Sequence, residues 1–573
     1  MPTAASAVSV PTVSTRAKWG KDLIILALIS GIWFFGLLGV RPYANPDEGR
    51  YTEIPREMAA TGDFVTPRLN GVKYFEKPPL IYWLSALTFK AFGVSPFTAR
   101  LWSAFFAMAG VLMTYATARC LHGREVGIAS ALVLGTSLLY YALGQIIILD
   151  MGVAVTLAGA LFAFILAMRE PAGRRRLALF VAFYVCIALA TLIKGLIGFL
   201  LPGAVIFLWV LLLNRWRALW PFYPILGIFL VLAITVPWHV LAAQANHSEI
   251  KEHDFAWFYF VHEHYLRFTT QIHGRYQPWW FFLPVLILGL FPWTLFAWQA
   301  ARQALVGGWK ARSQNPETWF FVIWIVFIML FFSKSQSKLI PYILPVFPAA
   351  ALILGKYVRD LWRTPAGKLN CRVAWGFAGF LTLLIVALFM ARIPKDQAVF
   401  ATHLPAMRII LCPALLIGAG AAVMAARRRN PRILIVSMTL TFGFFLMNVN
   451  WFYRYIDKSS SASFSRVIKA RMKPEDRVYV VHHYPQDMPV YLNRLVSVVD
   501  YQGELEFGID AEPWATNSRF LTREGFLEQW AQPGNAFASL RRDAYDSWFK
   551  AAAGPDHEVI ADTDNLVLVA KHP

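Results

Sequence analysis

Cysteine and charge are both scarce in this chain: its 573 residues include four cysteines, and Asp, Glu, Lys and Arg together make up only 15%. Cys120, Cys186, Cys371 and Cys412 sit in or beside apolar runs without CxxC spacing, which excludes a disulfide framework and a thiolate metal site. Also missing are a Walker loop, a GxGxxG turn beside a strand, an HExxH pair, heptads and internal repeats; nucleotide-loop, zinc-protease and solenoid readings fall with them. What remains is apolar. Hydrophobic residues make up 57% and mean hydropathy is +0.48, more apolar surface than a soluble fold of this length hides. The formal charge of +20, from 54 Lys+Arg against 34 Asp+Glu, suits an anionic membrane surface or acidic substrates. In a soluble protein it would also suit nucleic acid; at this hydropathy the partner is membrane lipid, not nucleic acid.

Thirteen runs are long enough to cross roughly 30 Å of hydrocarbon: 22–40, 100–119, 126–142, 147–168, 177–193, 196–213, 222–243, 279–299, 317–333, 339–356, 373–392, 407–425 and 432–450. The first follows Arg16, Lys18 and Lys21 like a signal peptide, but it is long and lacks a small-x-small cleavage site, so it reads as a membrane helix. A shorter stretch, 79–94, opens at Pro78-Pro79 and carries Lys90. Counting it as interfacial places the basic loops around Arg119, Arg174–Arg176, Arg215, Arg302, Arg359 and Arg427–Arg429 on the side of the N-terminus, as the positive-inside bias requires of the cytoplasm. Loops 41–99, 143–147, 244–278, 334–338 and 393–406 then face the other compartment, with everything after about 455. The expected architecture is a polytopic α-helical membrane domain, 1–454, with about 13 transmembrane helices, followed by a soluble α/β domain, 455–573. In the latter, 477–482, 494–499 and 566–570 read as strands and 462–472, 519–531 and 537–551 as helices.

The polar residues that stand out share the non-cytoplasmic face. Loop 41–78 balances six basic against six acidic residues, the pattern of paired groups in a folded site, because isolated charges beside hydrocarbon are costly; an interfacial loop that merely solvates them is the bland alternative. Asp150 opens an otherwise uncharged stretch and needs either a partner or a helix-start role. Lys194 sits at an external hairpin, functional or snorkelling. His262, Glu263 and His264, with Arg267 and His273 beyond them, suit a divalent, zinc-like ion to which Glu76 adds an oxygen, or hydrogen bonding at the aromatic belt. Lys334 and Lys338 place two cations outside, against the general bias, as phosphate attraction would explain. Tyr74, Phe75, Tyr82, Trp83, Phe89 and Phe92 form either a hydrocarbon wall or an ordinary lipid-facing helix.

In order, Asn45-Pro46-Asp47-Glu48-Gly49-Arg50, Glu76-Lys77-Pro78-Pro79-Leu80, Asp150, Lys194-Gly195-Leu196, Glu263-His264 with Arg267 and His273, and Ser335-Gln336-Ser337-Lys338-Leu339 resemble one family: the aminoarabinose transferases that modify lipid A, members of the protein O-mannosyltransferase superfamily of GT-C architecture. The likeness spans about 20 to 450. The resemblance implies transfer of 4-amino-4-deoxy-L-arabinose from undecaprenyl phosphate to lipid A phosphates at the periplasmic face of a Gram-negative inner membrane, giving resistance to polymyxin and cationic peptides. Asp47, with Asp150, is the implied catalytic pair. Arg50, Lys77, Arg267 and Lys194 would hold the carrier phosphate. Tyr51, Tyr74, Tyr82, Lys338 and Tyr342 would line the lipid and substrate cavity, and Glu76 with His264 would be candidate metal ligands. A mannosyl- or hexosyltransferase acting on protein or another lipid is the alternative within the class, and a lipid-linked-sugar transporter the alternative outside it.

Overall fold

The structure, a computed structural model, describes residues 13–270, 274–365, 367–391, 393, 398–456, 459–513, 518–553 and 556–571. Each of the thirteen apolar runs falls on a helix or a bent helix pair. Among the described residues, nine helices pass as spans on length and composition alone: Pro96–His122, Leu149–Ala167, Arg174–Lys194, Pro224–Ala245, Pro316–Lys334, Ile340–Arg363, Asn370–Met390, Val399–Arg427 and Pro431–Tyr453. Two runs are bent. Arg124–Gly135 meets Leu138–Gly144 at 67°, and Phe282–Gly289 meets Trp293–Ala304 at 101°. Pro292, which has no N–H to donate, stands in the second break, and the Phe291 carbonyl there accepts from the Leu138 N–H at the first. The remaining two runs are Val13–Phe35 and the 17-residue Ile197–Leu213.

Leu80–Phe92 is helical but only 13 residues long, roughly 20 Å at about 1.5 Å per residue, too short to span. Its Trp83 indole donates to the Phe64 carbonyl at 2.7 Å, which keeps it against the first external loop. The next helix begins sharply after it because Ser95 and Thr98 form a reciprocal capping box with Pro96 in the first turn.

That first loop is a folded unit. After a 15-residue helix, Asp47–Thr61, strands β1 (Arg68–Leu69) and β2 (Val72–Lys73) pair antiparallel across Asn70-Gly71, both in the left-handed region that a two-residue hairpin turn requires. Glu48 to Met58 are all buried. The key is Glu48, fully buried against a fully buried Arg100: both carboxylate oxygens take guanidinium N–H groups at 2.7 Å. Arg100 spends its other N–H groups on the carbonyls of Leu38, Arg41 and Pro42, and Glu48 also accepts from the Ala44 and Ile147 amides.

The C-terminal domain is a six-stranded sheet in the order β5-β4-β3-β6-β8-β7. β3 (Arg477–Val481), β4 (Ser497–Val499), β5 (Phe520–Leu521) and β6 (Ala536–Arg541) run parallel, while β7 (His557–Asp562) and β8 (Leu566–Lys571) are antiparallel at one edge. Two expectations need correction here: 519–531 opens with the strand β5 and is helical only over Arg523–Ala531, and 537–551 is not a single helix. Its first part is the buried strand β6, clamped between β3 and β8, and only Arg542 onward is helical. Five buried residues in a row, Ala536 to Leu540 with Ser539 the one polar member, carry no period that separates a central strand from a buried helix.

The domain packs on the first loop. Asn45 donates to the Asp487 carboxylate at 2.5 Å and accepts from its amide at 3.1 Å, Asn70 exchanges two hydrogen bonds with Val496, and Arg68 makes a forked pair with Glu512. Gly49 lies so close to this seam that a Cβ would stand 2.6 Å from the Asp487 amide nitrogen.

Removing one partner of a fully buried pair leaves an uncompensated charge. Arg100→Met is expected to destabilise the protein by about 3–5 kcal/mol, read as a lower unfolding midpoint in detergent. A midpoint equal to wild type would mean that the pair contributes nothing.

Candidate functional site

Asp47 opens the first-loop helix, one residue before the anchored Glu48; Asp150 is the second residue of Leu149–Ala167, three after the anchored Ile147. Lys194 ends Arg174–Lys194, and its ammonium bonds the Asp150 carboxylate while lying 4.7 Å from the centre of the Tyr342 ring. Gly195 follows with φ +82, where a Cβ would collide with the His264 ring. A residue with no side chain is what lets the two loops touch.

The segment Trp257–Leu266 is wound as a π-helix that runs into Arg267–Thr269. It carries the hub of the site, Glu263, whose side chain is 1% exposed. Its Oε2 accepts from Arg267 at 2.6 Å and from Lys77 at 3.2 Å. Glu76 lies 3.6 Å from Arg267 and 3.9 Å from both Lys77 and Arg50. Arg50 also donates to the Tyr74 hydroxyl at 2.9 Å, stands 3.6 Å from Asp47, and is paired at 2.6 Å with Glu504 from the C-terminal domain.

Two adjoining cavities of about 200 and 110 Å³ share Glu76, Lys77, Asp150, Lys194, Arg267 and Tyr342 as walls. The first adds Asp47, Arg50 and Tyr51; the second adds His264 and an apolar side that includes Val153, Ile197, Leu201 and Phe332. Ten of the thirteen residues expected at the site therefore line one connected space. Three do not. Tyr74 and Tyr82 are 2% and 0% exposed and pack inside the loop. Lys338 is buried too, donating to the Gln277 and Ser335 carbonyls, so it fastens loop 335–338 to the segment before Trp279 rather than facing the cavity. The 74–92 stretch is likewise no hydrocarbon wall: Phe75 packs edge-on to Phe255 and Phe507, and the apolar lining comes from other helices.

Burial pushes the Lys77 ammonium down, and Arg267 beside it adds to the effect, so that despite Glu263 and Glu76 it titrates at about 8. The Glu76 carboxyl is pushed up by burial and by Glu263, but Lys77, Arg50 and Arg267 outweigh both and hold it below the usual range. Glu504 is raised by burial to about 7, with Arg50 opposing.

Glu76 and His264, the candidate metal ligands, are both engaged with other partners. The Glu76 carboxylate is spread over three cations, and both His264 nitrogens are engaged, Nδ1 with the Tyr259 carbonyl at 2.6 Å and Nε2 with the Leu196 amide at 3.3 Å. Among the described residues no group of three or more His, Cys, Asp or Glu could hold a metal ion. His273 lies outside the described residues.

Glu504 escapes sequence reading, and Glu263 enters it as part of a His-rich, metal-like cluster and not as the hub of these ion pairs. Glu263 carried a local signal, four residues before Arg267 on a helix, where opposite charges meet. Glu504 carried none: it is brought in by the turn after β4, at the carboxyl ends of the parallel strands, where open α/β sheets present functional groups.

This architecture, a multi-pass helical domain with an interfacial site under a small α/β domain, is that of a GT-C-type membrane protein. Residues 22–251 match the family model for dolichyl-phosphate-mannose-protein mannosyltransferase, and residues 464–571 that for the aminoarabinose transferase C-terminal domain. The undecaprenyl phosphate-alpha-4-amino-4-deoxy-L-arabinose arabinosyl transferase 2 of Sodalis glossinidius is 34% identical over 59% of this chain and 60% of its own length. The corresponding transferase of Pectobacterium carotovorum is 32% identical over 64% and 65%. These alignments thus span less than two thirds of the relatives. The crystal structure of ArnT from Cupriavidus metallidurans bound to undecaprenyl phosphate superposes with a TM-score of 0.80 at 27% identity, over 96% of this chain and 98% of that one. Over nearly its whole length the chain thus shares the fold of that transferase, and its two matched segments are similar to the aminoarabinose transferases of the GT-C superfamily.

If Glu263 is what keeps Lys77 charged, Glu263→Gln lowers the Lys77 pKa further, and its amine should react faster with an acylating reagent at pH 7.5, followed by peptide mass spectrometry. Unchanged labelling would show that the two groups are not coupled.

Proposed function

We propose that this protein transfers 4-amino-4-deoxy-L-arabinose from undecaprenyl phosphate to the phosphate groups of lipid A, on the periplasmic side of the inner membrane, and so lowers the affinity of the cell surface for polymyxin and other cationic peptides. The observation that carries this reading is the convergence of Arg50, Lys77, Lys194 and Arg267 with Asp47 and Asp150 on one cavity beside an apolar wall. The names of the relatives supply the sugar and its carrier. The side of the membrane rests on the loop charges, which put every one of these residues opposite the basic loops.

In the donor the phosphate is a diester with one negative charge. As the bond between the anomeric carbon and the phosphate oxygen breaks, the electron pair goes to that oxygen and a second negative charge grows there, while the anomeric carbon turns oxocarbenium-like. Lys77 is suited to the first change. Burial leaves it short of negative charge, so its attraction rises as the phosphate departs, which favours the transition state over the bound donor. Arg267 and Arg50 offer planar forks for the other oxygens. Asp47, 57% exposed at the side chain, is placed to face the positive carbon. The acceptor phosphate is already anionic and needs little deprotonation before it bonds to that carbon. No step here is routed through a metal ion.

The mannosyltransferase model matched over 22–251 supports a second reading, a hexose passed to a protein hydroxyl. Mass spectrometry of lipid A from cells with and without the gene separates the two: a pentosamine adduct that needs the gene supports the first, and its absence rules it out. In proteoliposomes Lys77→Ala should lower kcat by about two decades, roughly 3 kcal/mol, and near-normal turnover would remove Lys77 from the phosphate site. The sign of the pH effect follows from Lys77: it is cationic below about 8 and neutral above, so kcat/KM should hold below that pH and fall as pH rises through it. In kcat the same limb should move to higher pH, because bound phosphate favours the ammonium.

A further inference from the structure

A third cavity, of about 550 Å³, lies on the far side of Glu76 and Glu263, which it shares with the reaction pocket. Its character is the opposite. Where the reaction pocket gathers ammonium and guanidinium groups, this one adds Glu504, Glu506 and Asp510 from the C-terminal domain to the two shared carboxylates, with Arg275 as the opposing guanidinium. Phe258 and Phe507, with ring centroids 4.0 Å apart, give it an apolar face of the kind on which the C–H side of a sugar packs. Carboxylates thus outnumber cations in this cavity, while Arg275 lines both it and the reaction pocket. A ligand that fits both holds a phosphate at one end and a cationic sugar substituent a few ångströms away.

We propose that the acidic cavity receives the protonated 4-amino group of the donor sugar, and that Glu504 is the carboxylate that selects it over a hydroxyl. This inference rests on the donor assigned above. Glu504 is less compensated than the two carboxylates shared with the reaction pocket. Glu76 is shared by three cations and Glu263 by Lys77 and Arg267. Glu504 meets Arg50 with Oε2, while its buried Oε1 has no hydrogen-bond partner among the described residues. Burial raises the Glu504 carboxyl to about 7, and an ammonium beside it favours its charged form. The C-terminal domain, on this view, reads the sugar while the membrane domain holds the phosphate.

The test compares the binding of three lipids to the full-length protein in nanodiscs at pH 7: undecaprenyl phosphate, its 4-amino-4-deoxy-arabinosyl derivative, and the same glycolipid with a hydroxyl in place of the amine. Wild type is expected to bind the amino lipid at least about tenfold more tightly than the hydroxy lipid, near 1.4 kcal/mol. Glu504→Gln should reduce that ratio to within about threefold. Because Glu504 also touches Arg50, the pair Glu506→Gln/Asp510→Asn serves as a second variant that lowers the cavity charge without that contact, and it should reduce the ratio in the same direction. A wild-type ratio near one, or a ratio that neither variant alters, overturns the inference. Equal weakening of all three lipids in Glu504→Gln with no change in the double variant overturns it as well, since that is the mark of a residue that only positions Arg50. Failure of the donor assignment looks different: wild type would then form no pentosamine adduct on lipid A from the amino lipid.

Discussion

A single buried ion pair fixes the relation between two loops that are distant in sequence. Glu48 and Arg100 are both removed from solvent, and between them they bind the carbonyls after the first helix, the start of the first-loop helix and the amide of Ile147. Asp47 and Asp150 hang immediately beside these anchor points. Two carboxylates more than a hundred residues apart therefore face one cavity because a third carboxylate, which never reaches that cavity, is held by the arginine. Such a pair costs desolvation to form; what it supplies here is geometry, since every donor and acceptor in it is directional.

The reaction pocket follows the same economy. Arg50, Lys77, Lys194 and Arg267 each have a carboxylate within about 4 Å, as groups near hydrocarbon must, yet compensation is uneven. Asp150 and Lys194 neutralise each other. Lys77, crowded by Arg267, is left short of negative charge and titrates at about 8, and Glu504, across the Glu76–Glu263 wall, is left short of positive charge and titrates at about 7. Strain of opposite sign on the two sides of one wall is an electrostatic mould for a substrate that carries both charges. It is preorganised because the groups are held by ion pairs and hydrogen bonds to one another.

The C-terminal domain is part of this arrangement, not an appendage. It closes over the first loop through Asn45–Asp487, Asn70–Val496 and Arg68–Glu512, at a seam where Gly49 leaves no room for a side chain. Through the turn after β4 it places Glu504 on Arg50. A loop so balanced in charge folds because its partners come from two domains at once.

How much of this was legible beforehand differs by level. Hydropathy sufficed for the helical runs, because membrane insertion is governed by local composition, and reading the loops by charge set together Asp47, Lys77, Asp150, Lys194 and Arg267, which the structure gathers on one cavity. Ten of the expected site residues meet there. The rest depended on packing. Tyr74, Tyr82 and Lys338 have the composition of cavity residues but spend their polar or apolar surface inside the protein, 537–551 divides between strand and helix according to what β3 and β8 offer it, and His264 accepts from the amide of Leu196, which is distant in sequence. Glu263 as hub and Glu504 as partner of Arg50 belong to this second kind. The chain alone settled which residues share a compartment, since the bilayer enforces that one helix at a time; which of them touch was decided by long-range contacts, and those exist only once the helices and the sheet have closed on each other.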